Sequence, residues 1–131
     1  MTGGLIGDWL EKQMSIKRVE PGRRMSQAVV HNGVVYLAGQ VADKAAGASI
    51  REQTSDILGQ IDALLAAAGT DKGRVLSATI YLVDINTFAE MNEVWDAWVS
   101  PGNTPARACV EARLAAPKYG VEISLIAASG A

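Results

Sequence analysis

The dipeptide Asn32-Gly33 constrains the fold of this chain more than any other local feature of the sequence. It separates two valine-rich runs, Ser26–His31 and residues 34–39. An Asn-Gly pair between such runs is typical of a tight turn that joins antiparallel strands, because both turn residues must adopt positive φ. The sequence therefore predicts a β-hairpin here, preceded by a short strand over residues 16–19.

Two amphipathic helices and three further strands complete the predicted order of elements. Ser49 and Glu52 have the spacing of a capping box, and apolar residues follow at helical spacing to about residue 68. Thr87 and Glu90 repeat that spacing before a second helix, which we expect to end near residue 99. The remaining strands, each rich in aliphatic residues, are predicted over residues 74–83, 106–112 and 121–127.

This order of elements predicts an α+β fold with a mixed β-sheet. Because the helices are amphipathic, both should lie on one face of the sheet. Strand residues 123–127 carry apolar side chains in both directions, so the other face also requires a cover. A second subunit is the simplest cover, and we therefore expect a homo-oligomer.

Composition limits the classes of function. The length of 131 residues suits one domain, and 49% hydrophobic with 20% charged residues excludes a disordered chain. One cysteine and one histidine exclude an internal disulfide and a multi-thiolate metal site, and favour a reducing, cytoplasmic location. The net charge of −2 makes nucleic-acid binding an unfavoured function.

The first residues differ in composition from the rest of the chain. Residues 1–15 are glycine-rich at their start and are predicted to form an N-terminal extension, either a short helical turn or a flexible tail. They lack the features of a secretory signal. No apolar run approaches the roughly 20 residues that a membrane-spanning helix needs. Residues 16–131 are predicted to form a single domain.

Arg107 is the clearest candidate for a functional residue. It follows Pro105 and lies among small apolar residues in the predicted strand 106–112. A guanidinium is always charged, so in such a strand it requires an anion. The residues alone leave open whether that anion is a bound ligand or a structural salt bridge to Glu111 or Glu122.

Two segments resemble the signature regions of the Rid (YjgF) family. One is residues 35–40, Val-Tyr-Leu-Ala-Gly-Gln, and the other is residues 103–111, Asn-Thr-Pro-Ala-Arg-Ala-Cys-Val-Glu, followed by residues 121–123. The resemblance extends over residues 16–127. It implies a chorismate-mutase-like fold with two helices on one face of a mixed sheet. It also implies a homotrimer whose sheets pack into a central barrel, with ligand clefts between subunits.

The resemblance further implies a reaction and roles for named residues. The family's best-known activity is hydrolysis of 2-imino acids and their enamine tautomers to 2-oxo acids and ammonia, without a cofactor or metal. Arg107 would bind the substrate carboxylate, and Cys109 would help hold ligand and water through its backbone groups. Glu122, expected beside Arg107 on the next strand, would orient or deprotonate the attacking water.

The chain departs from the pattern of the family's proven deaminases at two positions. Met25 stands where those members usually have tyrosine, and Ala38 stands where they tend to have serine, so the predicted pocket loses two hydroxyl groups. Asn92 and Arg24 are further candidates for contact with the ligand. These departures leave two alternatives to deaminase activity: a non-catalytic module that binds a 2-oxo acid or another carboxylate and, less favoured, an endoribonuclease.

Overall fold

A six-stranded sheet carries two helices in the computed structural model of the protein, which describes residues 6, 7, 10 and 15–130. The strands are β1 (Ile16–Pro21), β2 (Ser26–His31), β3 (Val34–Val41), β4 (Val75–Leu82), β5 (Ala106–Glu111) and β6 (Val121–Ala128). The helices are α1 (Ile50–Ala67) and α2 (Phe88–Trp98). Every strand and helix predicted above is confirmed, with ends that differ by two residues at most. The extension predicted over residues 1–15 falls mainly outside the described residues and stays a prediction.

The hairpin predicted at Asn32-Gly33 joins β2 to β3. Both residues have positive φ, 54° at Asn32 and 79° at Gly33. His31 pairs directly with Val34 across the turn, so the loop has the two residues that the sequence indicated.

Strand order in the sheet differs from strand order in the chain. The order is β1-β2-β3-β6-β4-β5, and every neighbouring pair is antiparallel except β4 and β5. Parallel strands need a crossover, and α2 provides it between β4 and β5. The crossover leaves β5 at the edge of the sheet, while β6 inserts between β3 and β4.

The core lies between the helices and one face of the sheet. Val121, Ile123, Leu125 and Ala127 of β6 are buried there, with exposures of 3% or less. Side chains at alternate positions of a strand point to opposite faces. We use the term open face for the side away from the helices, which carries Tyr36, Tyr81, Glu122, Ser124 and Ile126. Tyr36 is 46% exposed and Ile126 37% exposed on this face.

The two helices begin differently. Ser49 Oγ accepts a hydrogen bond from the Glu52 backbone N–H at 3.1 Å, as the first capping-box spacing predicted. The second predicted capping box is wrong, because Thr87 makes no side-chain cap. Its expected partner Glu90 instead accepts from the backbone N–H of Arg51 at 2.8 Å and so satisfies an unpaired donor at the start of α1. None of the described helices is long and apolar enough to cross a membrane.

Candidate functional site

Arg107 lies on edge strand β5 with its guanidinium against α2. Its register partner is Ala78, a core residue of β4, so its side chain lies on the helix side of the sheet. Nη1 donates to Asn92 Oδ1 at 2.8 Å. The guanidinium carbon lies 5.7 Å from the ring centroid of Phe88 and 5.3 Å from that of Trp95, within cation–π range. One hydrogen bond and two aromatic rings therefore fix the orientation of this cation.

Arg107 has no carboxylate partner among the described residues. Glu111, one of the two candidates for a salt bridge, accepts a hydrogen bond from the Ile85 backbone N–H at 3.0 Å. The structural salt bridge that the sequence left open is therefore not formed in the described part of the chain. A guanidinium has five N–H donors and Asn92 occupies one of them, so donors remain for an anion.

Cys109 lies two residues beyond Arg107 on β5 and on the same side of the sheet. Its side chain is partly buried and packs against the core. Burial raises the pKa of the thiol, and the positive charge of Arg107 opposes this only in part. The thiol is therefore protonated at neutral pH and is a poor nucleophile. A role for this residue through its backbone groups fits better than a role for its sulfur.

Glu122 lies on the open face of the sheet. It alternates along β6 with Val121 and Ile123, which are buried beneath the helices. Within the described residues its carboxylate has no ion-pair partner. The expectation that Glu122 lies beside Arg107 is wrong within one protomer, because β4 separates β5 from β6 and the two side chains are on opposite faces. The prediction assumed that β5 and β6 are neighbours in the sheet because they are consecutive in the chain. The crossover through α2 instead places β5 at the edge, beyond β4.

Two further predicted residues lie at the same end of the sheet as Glu122. Ala38 is in β3, next to the strand that holds Glu122. Met25 directly precedes β2, which runs antiparallel to β3, and its side chain is 48% exposed. Arg24, one residue earlier, is exposed in the turn between β1 and β2.

The predicted site residues therefore form two groups on one protomer. The arginine half-site consists of Arg107, Asn92 and Cys109, and the glutamate half-site consists of Glu122, Ala38 and Met25. The arginine half-site offers hydrogen-bond donors to an anion, and the glutamate half-site offers a carboxylate that can accept a proton. Neither resembles a metal site, because no group of three or more histidine, cysteine, aspartate or glutamate side chains suited to a metal occurs in the described residues.

Sequence reasoning missed the role of two aromatic residues. Phe88 and Trp95 of α2 fit the apolar pattern of an amphipathic helix, which by itself indicates only packing against the sheet. They lie four residues before and three residues after Asn92, and residues at these spacings share one helix face. That spacing is the signal that would have grouped all three around Arg107.

Comparison with known proteins identifies the family to which this fold belongs. Residues 15–129 match the family model described as endoribonuclease L-PSP. The crystal structure of NMB1025 from Neisseria meningitidis, a member of the YjgF protein family, is 50% identical with a TM-score of 0.88. That alignment covers 91% of this chain and 98% of NMB1025. The chain belongs to the Rid (YjgF) family.

Relatives within the Rid family extend the match. A RutC family protein from Haemophilus influenzae is 44% identical over 114 residues, which cover 87% of this chain and 98% of the relative. The 2-iminobutanoate/2-iminopropanoate deaminase of Rattus norvegicus is 33% identical over 110 residues, covering 80% of each chain. The Rid family thus includes a protein named as an iminobutanoate/iminopropanoate deaminase. The mixed sheet with two helices expected from the resemblance is confirmed.

Proposed function

We propose that this protein is an imine/enamine deaminase that hydrolyses small 2-imino acids to 2-oxo acids and ammonia. The observation that carries the proposal is the arginine half-site, where Arg107 is oriented by Asn92, Phe88 and Trp95 but has no carboxylate partner in the described chain. A 2-imino acid brings such a carboxylate, and a guanidinium binds it through two parallel hydrogen bonds. The name of the rat relative supports the same reaction.

The chemistry requires one carboxylate besides the cation. Water adds to the carbon of the C=N bond, giving a carbinolamine, which then collapses to the C=O of the 2-oxo acid as ammonia leaves. Glu122 accepts a proton from the attacking water and gives it to the imine nitrogen, which forms the carbinolamine. It then transfers the carbinolamine hydroxyl proton to the same nitrogen, which leaves as ammonia, so the enzyme gains or loses no net proton. The imine is already electrophilic, so positioning by Arg107 supplies much of the remaining acceleration. No cofactor takes part in this scheme.

The proposed site lies between two subunits of a homotrimer. Arg107 and Glu122 are on opposite faces of one sheet, so one protomer alone does not bring them to a common substrate. A neighbouring protomer whose open face meets the arginine half-site would complete the pair. The exposure of Tyr36 and Ile126, which are register partners on the open face, supports an apolar contact there.

Ile126→Asp is expected to dissociate the assembly, because it buries an unpaired charge in the proposed contact. Light scattering after size exclusion should show the wild type as a trimer and this variant as a monomer. Ala63→Asp introduces the same charge at an exposed position of α1 and should leave the trimer intact. A monomeric wild type, or a trimeric Ile126→Asp variant with wild-type stability, would contradict the proposed assembly.

Asn92→Ala is expected to weaken carboxylate binding by about tenfold, which is the effect of losing one hydrogen bond to a charged group. The substitution removes the Oδ1 acceptor that holds Nη1 of Arg107 at 2.8 Å and leaves the guanidinium free to turn. Calorimetric titration with 2-oxobutanoate measures the affinity. Asn86→Ala, in the exposed turn before α2, is the matched control and should bind as the wild type does. If the Asn92→Ala variant binds 2-oxobutanoate as tightly as the wild type does, Asn92 does not orient Arg107 for binding.

Direct measurement of imine hydrolysis tests the proposed function. Iminobutanoate is generated by a dehydratase or an amino-acid oxidase, and semicarbazide traps the imine that remains. We expect the protein to reduce the trapped fraction in proportion to its concentration. The proposal fails if clearance by the wild type equals the uncatalysed rate across imines with several side chains.

One observation favours a second function, a module that binds a 2-oxo acid without turnover. Met25 and Ala38 bring no hydroxyl groups to the glutamate half-site, so that half of the proposed pocket has fewer groups to hold a water. Micromolar binding of a 2-oxo acid without imine turnover would identify this function. The family model carries the name of an endoribonuclease, but the net charge of −2 and the single histidine disfavour RNA cleavage by this chain.

A further inference from the structure

Gly39 occupies a position of β3 where glycine leaves room for a neighbouring side chain, rather than one where the backbone conformation favours glycine. Its φ is outside the left-handed region, so any residue is able to adopt its backbone conformation. A Cβ atom placed there would overlap Oε2 of Glu122 and lie only 2.9 Å from the carboxyl carbon Cδ. The Glu122 carboxylate thus lies directly against the main chain of Gly39, in the volume that a side chain would fill.

A β-bulge accompanies this contact. Leu37 pairs with Leu125 and Gln40 pairs with Ile123, so the two residues between Leu37 and Gln40 face a single residue of β6. Bulges of this kind bend a strand and redirect neighbouring side chains, and they are frequent beside active sites. Here the bulge contains Ala38 and Gly39 and lies beside Glu122, which pairs with Val41 just beyond it.

A buried amide fixes the bulge from the helix side. The Gln40 side chain is 7% exposed, and its Nε2 donates to the Ala38 carbonyl at 3.1 Å and to Gln27 Oε1 at 3.0 Å. Gln60 of α1 donates to Gln40 Oε1 at 3.3 Å and to the Val41 carbonyl at 3.0 Å. These bonds hold the carbonyl of Ala38, directly before Gly39, and that of Val41, two residues after it. The main chain of Gly39 therefore has little freedom to move away from Glu122.

We infer that Gly39 is a positioning residue that fixes the Glu122 carboxylate for proton transfer. The absence of a Cβ at residue 39 lets the carboxylate lie against the main chain of β3. The bulge held by Gln40 determines the position of that main chain. The catalytic part of this inference rests on the proposed deaminase function. The structural part, the location of the carboxylate, stands independently of any activity.

Gly39→Ala tests the inference, and the variant should fold. Alanine fits the backbone conformation, and the group it displaces is the far end of a flexible side chain. A crystal structure should show the Glu122 carboxylate moved away from residue 39. For imine hydrolysis we expect kcat to fall about 100-fold, the usual effect of a misplaced catalytic group. KM should stay within about twofold, because the arginine half-site is untouched.

Gly59→Ala is the matched control. Gly59 lies within α1, and outside the adjoining backbone of that helix a Cβ there would meet no atom of the described residues within 4 Å. This variant should keep the wild-type kcat and the wild-type location of the Glu122 carboxylate. A comparable loss of kcat in Gly59→Ala would mean that the assay responds to general perturbation, and the inference would be overturned.

A double variant separates positioning from other effects of the added methyl group. If Gly39 acts through Glu122, then Gly39→Ala should lower kcat no further in a Glu122→Gln background. Additive losses, or a Gly39→Ala crystal structure with the carboxylate unmoved, would overturn the inference. A wild type without turnover would refute the proposed function instead, and the crystal structures would still decide whether Gly39 locates the carboxylate.

Discussion

Arg107→Lys should lower kcat/KM for a small 2-imino acid by about 100-fold or more, although it keeps the positive charge. Lysine offers a point charge where the substrate carboxylate requires a planar fork with two parallel N–H donors. It also loses the contacts that Phe88 and Trp95 make with the guanidinium at 5.7 Å and 5.3 Å. Steady-state measurements with the semicarbazide trap at several imine concentrations provide the ratio.

The control for Arg107→Lys is Arg18→Lys, on the outer strand β1, where the arginine is exposed. This control should hydrolyse the imine at the wild-type rate. Differential scanning calorimetry checks that both variants remain folded at the assay temperature. A kcat/KM within about twofold of wild type for Arg107→Lys would show that any cation at this position suffices. Binding of the carboxylate through two parallel N–H donors would then be refuted.

Glu122→Gln should lower kcat by about 100-fold to 10,000-fold, which is the usual contribution of a general base. Glutamine has nearly the same shape but accepts no proton, so KM should change little. In the proposed reaction Arg107, on the other half-site, holds the substrate carboxylate, and this change does not reach it. Stopped assays with the trapped imine measure both constants, and an unchanged kcat would exclude Glu122 from the chemistry.

Mixing two inactive variants tests where the proposed site lies. Arg107→Ala and Glu122→Gln protomers, unfolded and refolded together in equal amounts, should regain activity that neither has alone. Roughly a quarter of the inter-subunit sites in a random trimer would combine an intact Arg107 with an intact Glu122. If both residues served one protomer, no mixed assembly would contain a complete site. Absence of recovery in confirmed mixed trimers would contradict the inter-subunit site.

The sequence revealed the features of the fold that depend on neighbouring residues. The Asn32-Gly33 turn requires positive φ at two adjacent residues, and both values are found. Ser49 caps α1 through an N–H three residues along the chain. The predicted cap at Thr87 failed because Thr87 already lies in a 3₁₀ turn, Ile85–Thr87, which is capped by Asp84. Its expected partner Glu90 bonds to Arg51, which is 39 residues away in the chain. No local spacing predicts a partner at that distance.

The sequence identified the candidate residues but did not reveal how they are arranged in the fold. Arg107 was identifiable because a permanent charge in an apolar strand needs an anion. The separation of Arg107 from Glu122 follows from the sheet order β6-β4-β5, which the crossover through α2 determines. The contact of Gly39 with Glu122 depends on a one-residue bulge in the pairing of β3 with β6. The alternation of residues along one strand does not indicate how that strand pairs with its neighbour.

The placement of Arg107 and Glu122 on opposite faces of one sheet has a kinetic consequence. In the proposed trimer, each protomer contributes one half to each of two different sites, so a separated protomer would have no complete site. Turnover per protomer should then fall on dilution below the concentration at which subunits dissociate, following mass action. Specific activity would report the degree of association, and a substitution far from either half-site would abolish catalysis by weakening subunit contacts.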